Sequence, residues 1–241
     1  MPRRVYPTPR QPLDEGALID DANAIIARYP AGRSRSALLP MLHLVQSAQG
    51  YVTSDGIAFC AKLLHLTRAE VAAVSTFYTM YKRRPTGEYL ISVCTNTMCG
   101  VLGGQRSYDE LSEQLGVGHN QTTADGVITL EHAECLAACD YAPVLTVNYE
   151  FFDQVDADKA KEIVAQLRAG KRPHPDRGGP LCGFKQISRQ LAGFDDAVVG
   201  GHAADNDNLC QVVGREAGDV AGEPTLAGNR CSVATADRDN T

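Results

Sequence analysis

The sequence has no run of about 20 predominantly apolar residues, the length that a helix needs to cross a bilayer. Its longest uncharged run, residues 36–54, is interrupted by a proline, a histidine, two glutamines and a glycine. The N-terminal residues include arginines, but no apolar stretch follows them, so they lack the pattern of a secretory signal. We therefore expect no direct membrane insertion and a compartment in which thiols stay reduced.

Two further absences exclude other classes of protein. No block of lysine and arginine stands out, and the net charge is −6, so we expect no nucleic acid partner. The glycine-rich phosphate-binding patterns G-x-G-x-x-G and G-x-x-x-x-G-K-S/T are also missing. We therefore interpret Gly100, Gly103 and Gly104 as a flexible loop rather than as a phosphate site.

The first third of the chain has the pattern of a small helical bundle. Residues 1–13, rich in proline and arginine, are expected to form a flexible arm, and residues 14–84 to form the bundle. Apolar residues at helical spacing and end signals predict four helices, at residues 14–29, 34–49, 54–64 and 67–75. Ser54 is a candidate N-cap for the third helix, and Thr67 to Glu70 fits the capping box.

The periodicity changes after Pro85, and residues 85–170 are predicted to form a second domain. Short runs rich in β-formers predict strands at residues 88–94, 127–131, 143–148 and 151–155, with helices at residues 107–115 and 156–167. This order predicts an α+β or α/β fold, in which a mixed sheet is flanked by helices. Residues 171–241 are expected to be irregular to disordered, apart from an amphipathic piece, Phe184–Leu191, that could dock on a partner.

Four of the eight cysteines form two close pairs, Cys94-x₄-Cys99 and Cys135-x₃-Cys139. Structural zinc usually prefers a tighter C-x₂-C knuckle, and a thioredoxin-type dithiol requires C-x-x-C, which neither pair has. A Cys₄ iron–sulfur cluster tolerates wider spacing, because its ligands reach two irons rather than one. The spacing therefore favours a 2Fe–2S cluster, while a zinc-stabilised Cys₄ interaction module stays open as an alternative from another class.

The remaining cysteines do not have this pairing. Cys60 lies on the apolar face of a predicted helix and is interpreted as a buried small hydrophobe. Cys182, Cys210 and Cys231 lie in the predicted tail without a close partner in sequence, and we assign no role to them.

The motifs around the paired cysteines resemble a known family. Cys-Thr-Asn-Thr-Met-Cys-Gly at 94–100, Glu-Cys-Leu-Ala-Ala-Cys at 134–139, Ala142-Pro143 and Val147-Asn148 are similar to the thioredoxin-like 2Fe–2S ferredoxins. More narrowly, together with residues 36–46 and 74–80, they resemble the E subunits of bacterial NADH-quinone oxidoreductase, the respiratory complex I. The resemblance covers about residues 14–170. Asp140-Tyr141 departs from it, since some relatives have an uncharged pair there.

This resemblance implies a thioredoxin-like sheet and one 2Fe–2S cluster with Cys94, Cys99, Cys135 and Cys139 as its ligands, each pair holding one iron. It implies an electron-carrying role without a catalytic acid, base or nucleophile on this chain. FMN and NADH would lie on an adjacent subunit, on which the helical unit docks, and the large iron–sulfur subunit would be a second partner. The place implied is peripheral, on the cytoplasmic side of the bacterial cell membrane.

Two related roles compete with this one. The same module could belong to an NAD-linked formate dehydrogenase or hydrogenase, or it could be a free-standing ferredoxin.

Three acidic residues, Glu131, Glu134 and Asp140, lie close in sequence to the second cysteine pair. Negative charge disfavours the addition of an electron, so they predict a low reduction potential, unless they are ordinary solvated acids.

Overall fold

The computed structural model describes residues 12–194, which contain eight α-helices and five β-strands. The helices are α1 (Glu15–Ala27), α2 (Leu38–Gln49), α3 (Ser54–Leu64), α4 (Arg68–Phe77), α5 (Thr97–Val101), α6 (Gly104–Leu115), α7 (Ala157–Arg168) and α8 (Phe184–Leu191). The strands are β1 (Tyr89–Cys94), β2 (Gln121–Thr122), β3 (Ile128–Ala133), β4 (Leu145–Val147) and β5 (Glu150–Phe152). Short 3₁₀ turns cover Ser34–Ala37 and Cys139–Tyr141.

The first four helices form the predicted helical unit, and side chains near their ends fix where they start. The hydroxyl of Thr67 accepts from the backbone N–H of Glu70 at 3.2 Å, and the Glu70 carboxylate accepts from the Thr67 N–H at 2.9 Å, so the predicted capping box is confirmed. The predicted cap of α3 is wrong by one residue. Thr53, not Ser54, accepts from the N–H of Gly56, because Thr53 has the extended backbone that a cap residue needs.

The core of this unit is a cluster of buried apolar side chains from all four helices. Its fully buried members include Ala22, Ile25, Met41, Leu42, Val45, Phe59 and Val71. Because each short helix presents only one apolar stripe, burying these stripes against one another is what stabilises the helices as a group.

The second unit is a mixed sheet with strand order β2-β3-β1-β4-β5, which confirms the predicted fold class. The central strand β1 pairs in parallel with β3 and antiparallel with β4. All six residues of β1 are buried, as expected for a strand covered on both faces. Strand β2 was not predicted, since two residues are too short to show a periodicity.

A buried ion pair joins the two units. Lys82, which follows the helical unit, places its Nζ 2.6 Å from the Glu131 carboxylate on β3, with side chains only 10% and 14% exposed. The same carboxylate accepts from the hydroxyl of Ser92 on β1 at 2.6 Å. On the helical side, the fully buried Gln46 accepts from the Lys82 N–H at 2.7 Å and donates to the carbonyl of Met80 at 3.1 Å.

The segment after α7 differs from the predicted irregular tail. Residues 184–191 form α8, whose Phe184 and Ile187 are buried and whose Ser188 accepts a hydrogen bond from Gln46 of α2 at 3.3 Å. The amphipathic face expected to dock on a partner thus packs on the chain itself. The predictions for residues 195–241, and for most of the N-terminal arm, fall outside the described residues. No helix within residues 12–194 is long and apolar enough to span a membrane.

Candidate metal centre

The sheet topology brings the two cysteine pairs to one place. Because β1 and β3 run parallel with Cys94 in register with Ala133, both strands end at the same edge of the sheet. Cys94 is the last residue of β1, and Cys135 follows the end of β3 by two residues. The Cys94 sulfur lies 3.5 Å from the carbonyl oxygen of Glu134.

Short local elements return the second cysteine of each pair to this edge. Cys99 lies in α5, which begins after Asn96, whose side chain accepts from the Thr97 N–H at 2.6 Å. Cys139 begins the 3₁₀ turn that ends at Tyr141. In each pair, a short helical element lies at the second cysteine. Such an element can bring the chain back to the first cysteine within the three or four residues that separate them.

The four sulfurs interact as two pairs and also across the pairs. Hydrogen-bonding and charge interactions link Cys94 with Cys99 and Cys135 with Cys139, and charge interactions link Cys139 with both Cys94 and Cys99. In the part of the chain that the structure describes, no three histidine, cysteine or acidic side chains are close enough to hold one metal ion. A Cys₄ 2Fe–2S cluster divides its thiolates between two irons, and two interacting pairs fit that donor set.

The two pairs differ sharply in exposure. Cys94 and Cys99 are 2% and 1% exposed, whereas Cys135 and Cys139 are exposed at the surface. Burial, with smaller contributions from Cys94 and Cys139, raises the pKa of the Cys99 thiol to about 11. The hydrogen bond with Cys135 and the charge of that neighbour raise the pKa of Cys139. Thiols crowded in this way resist ionising together, and bound metal cations relieve that repulsion.

Sequence comparisons show the family of this chain. A sequence model of the thioredoxin-like 2Fe–2S ferredoxin family matches residues 22–168. The chain belongs to this family. The E subunit of the Mycobacterium tuberculosis NADH-quinone oxidoreductase is 60% identical over 176 residues, which are 73% of this chain and 69% of that protein. Subunit 2 of the Thermus thermophilus enzyme is 37% identical over 147 residues, 61% of this chain and 81% of that protein.

A solved structure shares the fold at lower sequence similarity. A chain of an NAD⁺-reducing NiFe-hydrogenase, in its air-oxidised crystal structure, is 22% identical with a TM-score of 0.50, covering 55% of this chain and 23% of that one. The predicted resemblance to the ferredoxin family, and to the E subunits within it, is confirmed by the family match and the curated relatives. The role of the four cysteines as ligands stays a prediction.

Within this ferredoxin domain, backbone N–H groups point at the sulfurs. The N–H of Ala137 donates to the Cys135 sulfur at 3.4 Å, and a backbone hydrogen bond from Val144 reaches Cys99. Ala137 has a φ of 56°, in the left-handed region that non-glycine residues rarely adopt. Such donors stabilise negative charge on sulfur and are one of the ways in which a protein sets the potential of a cluster.

The close packing of Gly104 against the site is a feature that the sequence interpretation missed. The predicted flexible loop at residues 100–104 is wrong, because α5 and the start of α6 occupy it. A Cβ at Gly104 would lie 2.4 Å from the carbonyl oxygen of Cys94 and 2.8 Å from that of Cys99. The helix thus packs directly against the backbone of both buried cysteines, and the only signal in the sequence was the cluster of glycines after Cys99.

The acidic residues near the exposed pair are not equivalent. Glu131 is held by Lys82 and Ser92, so a cation offsets the negative charge by which it was predicted to lower the reduction potential. Glu134 and Asp140 are exposed, as ordinary solvated acids are. His132 packs against His119, with ring centroids 4.1 Å apart.

The cysteines outside the pairs behave differently from them. Cys60 is fully buried in the helical core, which confirms its interpretation as a small hydrophobe. Cys182 is 3% exposed and packs in a small apolar cluster with Leu90, Phe184 and Ile187. Cys210 and Cys231 lie outside the described residues.

Proposed function

We propose that Cys94, Cys99, Cys135 and Cys139 hold one 2Fe–2S cluster, and that this chain is an electron-carrying subunit of an NADH-quinone oxidoreductase. The observation that carries the proposal is the meeting of two thiol pairs at one edge of a parallel strand pair. The similarity to the E subunits of that enzyme supports the choice of complex.

Such a cluster supplies a site that takes up and releases one electron at a time. The protein's own part is to bind, orient and shield. Cys94 and Cys99 exclude water on one side by their burial, and Cys135 and Cys139 leave the other side open to a partner. We propose that electrons pass between this open side and the FMN of the adjacent NADH-oxidising subunit, while proton translocation belongs to the assembled complex.

Exposed apolar side chains provide surfaces for those partners. On the helical unit, Phe77 is 78% and Tyr78 45% exposed at the end of α4. Beside the cysteines, Val101 and Leu102 are 80% and 52% exposed. Exposed apolar groups concentrated in this way are typical of interaction sites. We propose that the α4 surface contacts the flavin subunit, with the large iron–sulfur subunit as a further neighbour on the cytoplasmic side of the bacterial membrane.

The test of the cluster is metal and sulfide analysis combined with electron paramagnetic resonance of the dithionite-reduced protein. We expect about two irons and two sulfides per chain in the wild type. A Cys135→Ala variant should lose most of both, whereas the matched control Cys182→Ala, which removes a buried thiol away from the site, should keep them. One zinc per chain and no visible absorbance would instead support the zinc-stabilised module.

The test of the complex is affinity purification of the intact assembly from the native organism. We expect a flavin subunit that oxidises NADH, together with quinone reductase activity. Phe77→Ser should reduce the recovery of the flavin subunit. The recovery is compared with that of Val101→Ser, which alters the exposed apolar surface beside the cysteines. Recovery with a formate dehydrogenase or a hydrogenase would assign the same module to that complex instead.

A further inference from the structure

The segment after α7 lies beyond the 22–168 region that the family model matches, yet it folds back onto the metal centre. Residue 177 forms a β-bridge with Phe151 of the edge strand β5, in which the N–H of Phe151 donates to the carbonyl of Arg177 at 3.0 Å. On the other side of the bridge, the N–H of Asp176 donates to the carbonyl of Phe151 at 2.9 Å. The backbone at this point is therefore fixed to the sheet.

This pairing places the Arg177 side chain between two aromatic rings. Its guanidinium carbon lies 4.9 Å from the ring centroid of Tyr141 and 4.8 Å from that of Phe151, both within the range of a cation–π contact. Nη2 lies 2.5 Å from a carboxylate oxygen of Asp153. Nε is buried and has no hydrogen-bond partner among the described residues, so ring contacts and the Asp153 ion pair are the interactions that hold the guanidinium.

Tyr141 connects Arg177 to the proposed ligands. It is the last residue of the 3₁₀ turn that Cys139 begins, and its N–H donates to the carbonyl of Ala138 at 3.1 Å. Holding the Tyr141 ring therefore holds the turn that presents the exposed Cys139. Asp140, between the two, also interacts with Arg177: the pKa of Arg177 is raised chiefly by Asp153, with smaller contributions from Asp140 and Tyr141.

We propose that Arg177 is a positioning residue for the metal centre, which fixes the Cys139–Tyr141 turn and places a positive charge that raises the reduction potential of the cluster. This inference rests on the proposed function. Reduction adds one negative charge to the cluster, so a fixed cation nearby favours the reduced form and offsets Asp140. An arginine side chain stays protonated in proteins, so the effect does not depend on the protonation of Arg177.

The experiment is a redox titration followed by electron paramagnetic resonance on the full chain, comparing wild type with Arg177→Gln and Arg177→Met. Arg177→Met keeps an apolar side chain that can pack on the two rings, so it is expected to fold even if Arg177→Gln does not. We expect both to lower the equilibrium constant for reduction by about two- to tenfold, where tenfold corresponds to 59 mV for a one-electron couple. Arg177→Lys, which keeps the charge, should restore most of the potential.

The matched control is Arg168→Gln, which also removes one cation from an acidic partner. Arg168 binds Asp125 at 2.8 Å, in the turn before β3, at the end of that strand opposite Cys135. The inference is overturned if the Arg177 variants bind two irons and keep the wild-type potential, or shift it no more than Arg168→Gln does. Absence of a cluster from the wild-type protein would overturn the proposed function instead, so the two failures are distinguishable.

Discussion

Gly104→Ala puts the link between α6 and the metal centre to a direct test. In most helices this exchange stabilises, because alanine is favoured over glycine by about 1 kcal/mol. Here the added methyl group would lie 2.4 Å from the carbonyl oxygen of Cys94 and 2.8 Å from that of Cys99. Real Cβ atoms essentially never approach another heavy atom closer than 3.0 Å, so something must move.

What would have to move is backbone on both sides. Restoring a 3.4 Å contact requires α6 and the Cys94 carbonyl to separate by about 1 Å. Overpacking of this kind costs roughly 1–3 kcal/mol, more than the helix preference returns. The same shift displaces Cys94 and Cys99, whereas metal–ligand distances tolerate changes of only about 0.2 Å.

We therefore expect Gly104→Ala to lower the free energy of unfolding by up to about 2 kcal/mol in urea denaturation and to lower the iron content per chain. Gly118→Ala is the matched control, since its added Cβ would meet only the Gln121 side chain, at 3.8 Å. Normal iron content and unchanged or raised stability in Gly104→Ala would refute the reasoning. The helix preference for alanine would then be enough to explain the effect of the substitution.

Three further predictions concern the units around the site. Lys82→Met should destabilise the protein by about 3–5 kcal/mol in urea denaturation, because the Glu131 carboxylate stays buried without its cation. Adding Glu131→Leu should recover much of this loss. If the destabilisations of the two single variants simply add in the double variant, the pairing is contradicted. His43 is buried, and burial lowers its pKa from 6.5 to about 4. Between these two pH values the folded protein therefore binds fewer protons at His43 than the unfolded chain does. The free energy of unfolding consequently falls as the pH drops below about 6.5. Between pH 7 and pH 5 we expect a loss of about 1–2 kcal/mol that His43→Leu abolishes, and an equal loss in both proteins would assign the slope to other groups. Asp140→Asn should raise the reduction potential of the cluster in a redox titration, and a fall or no change would refute the charge argument.

The local patterns that could be recognised in the sequence were those carried by contiguous residues. The helical unit, the capping box at Thr67 and the strands around Cys94 follow from periodicity and cap chemistry within about ten residues. The interpretation failed where a close backbone contact decides the structure. Glycines at 100–104 suggested a loop, because a close approach of α6 to the Cys94 carbonyl leaves no mark in the local pattern.

The C-terminal segment shows a further limit. Its composition predicted an irregular chain after Gly170, yet α8 packs on α2 through residues that are more than 130 positions away, such as Gln46 and Ser188. A segment of eight residues with little intrinsic helical stability is ordered by such contacts rather than by its own propensity. Likewise the sequence predicted that the charge of Glu131 would act on the cluster, and its cation, Lys82, is 49 residues away.

By itself, the sequence determined the family and the two cysteine pairs, because spacing and neighbouring motifs are properties of contiguous residues. The tertiary structure decided which pair is buried and which is exposed, since that depends on how the parallel strands β1 and β3 end at one edge of the sheet. It also decided that Gly104 packs against the proposed ligands and that Arg177 stacks over the turn that follows Cys139. Those contacts join residues that no local pattern relates, and only the packed chain brings them together.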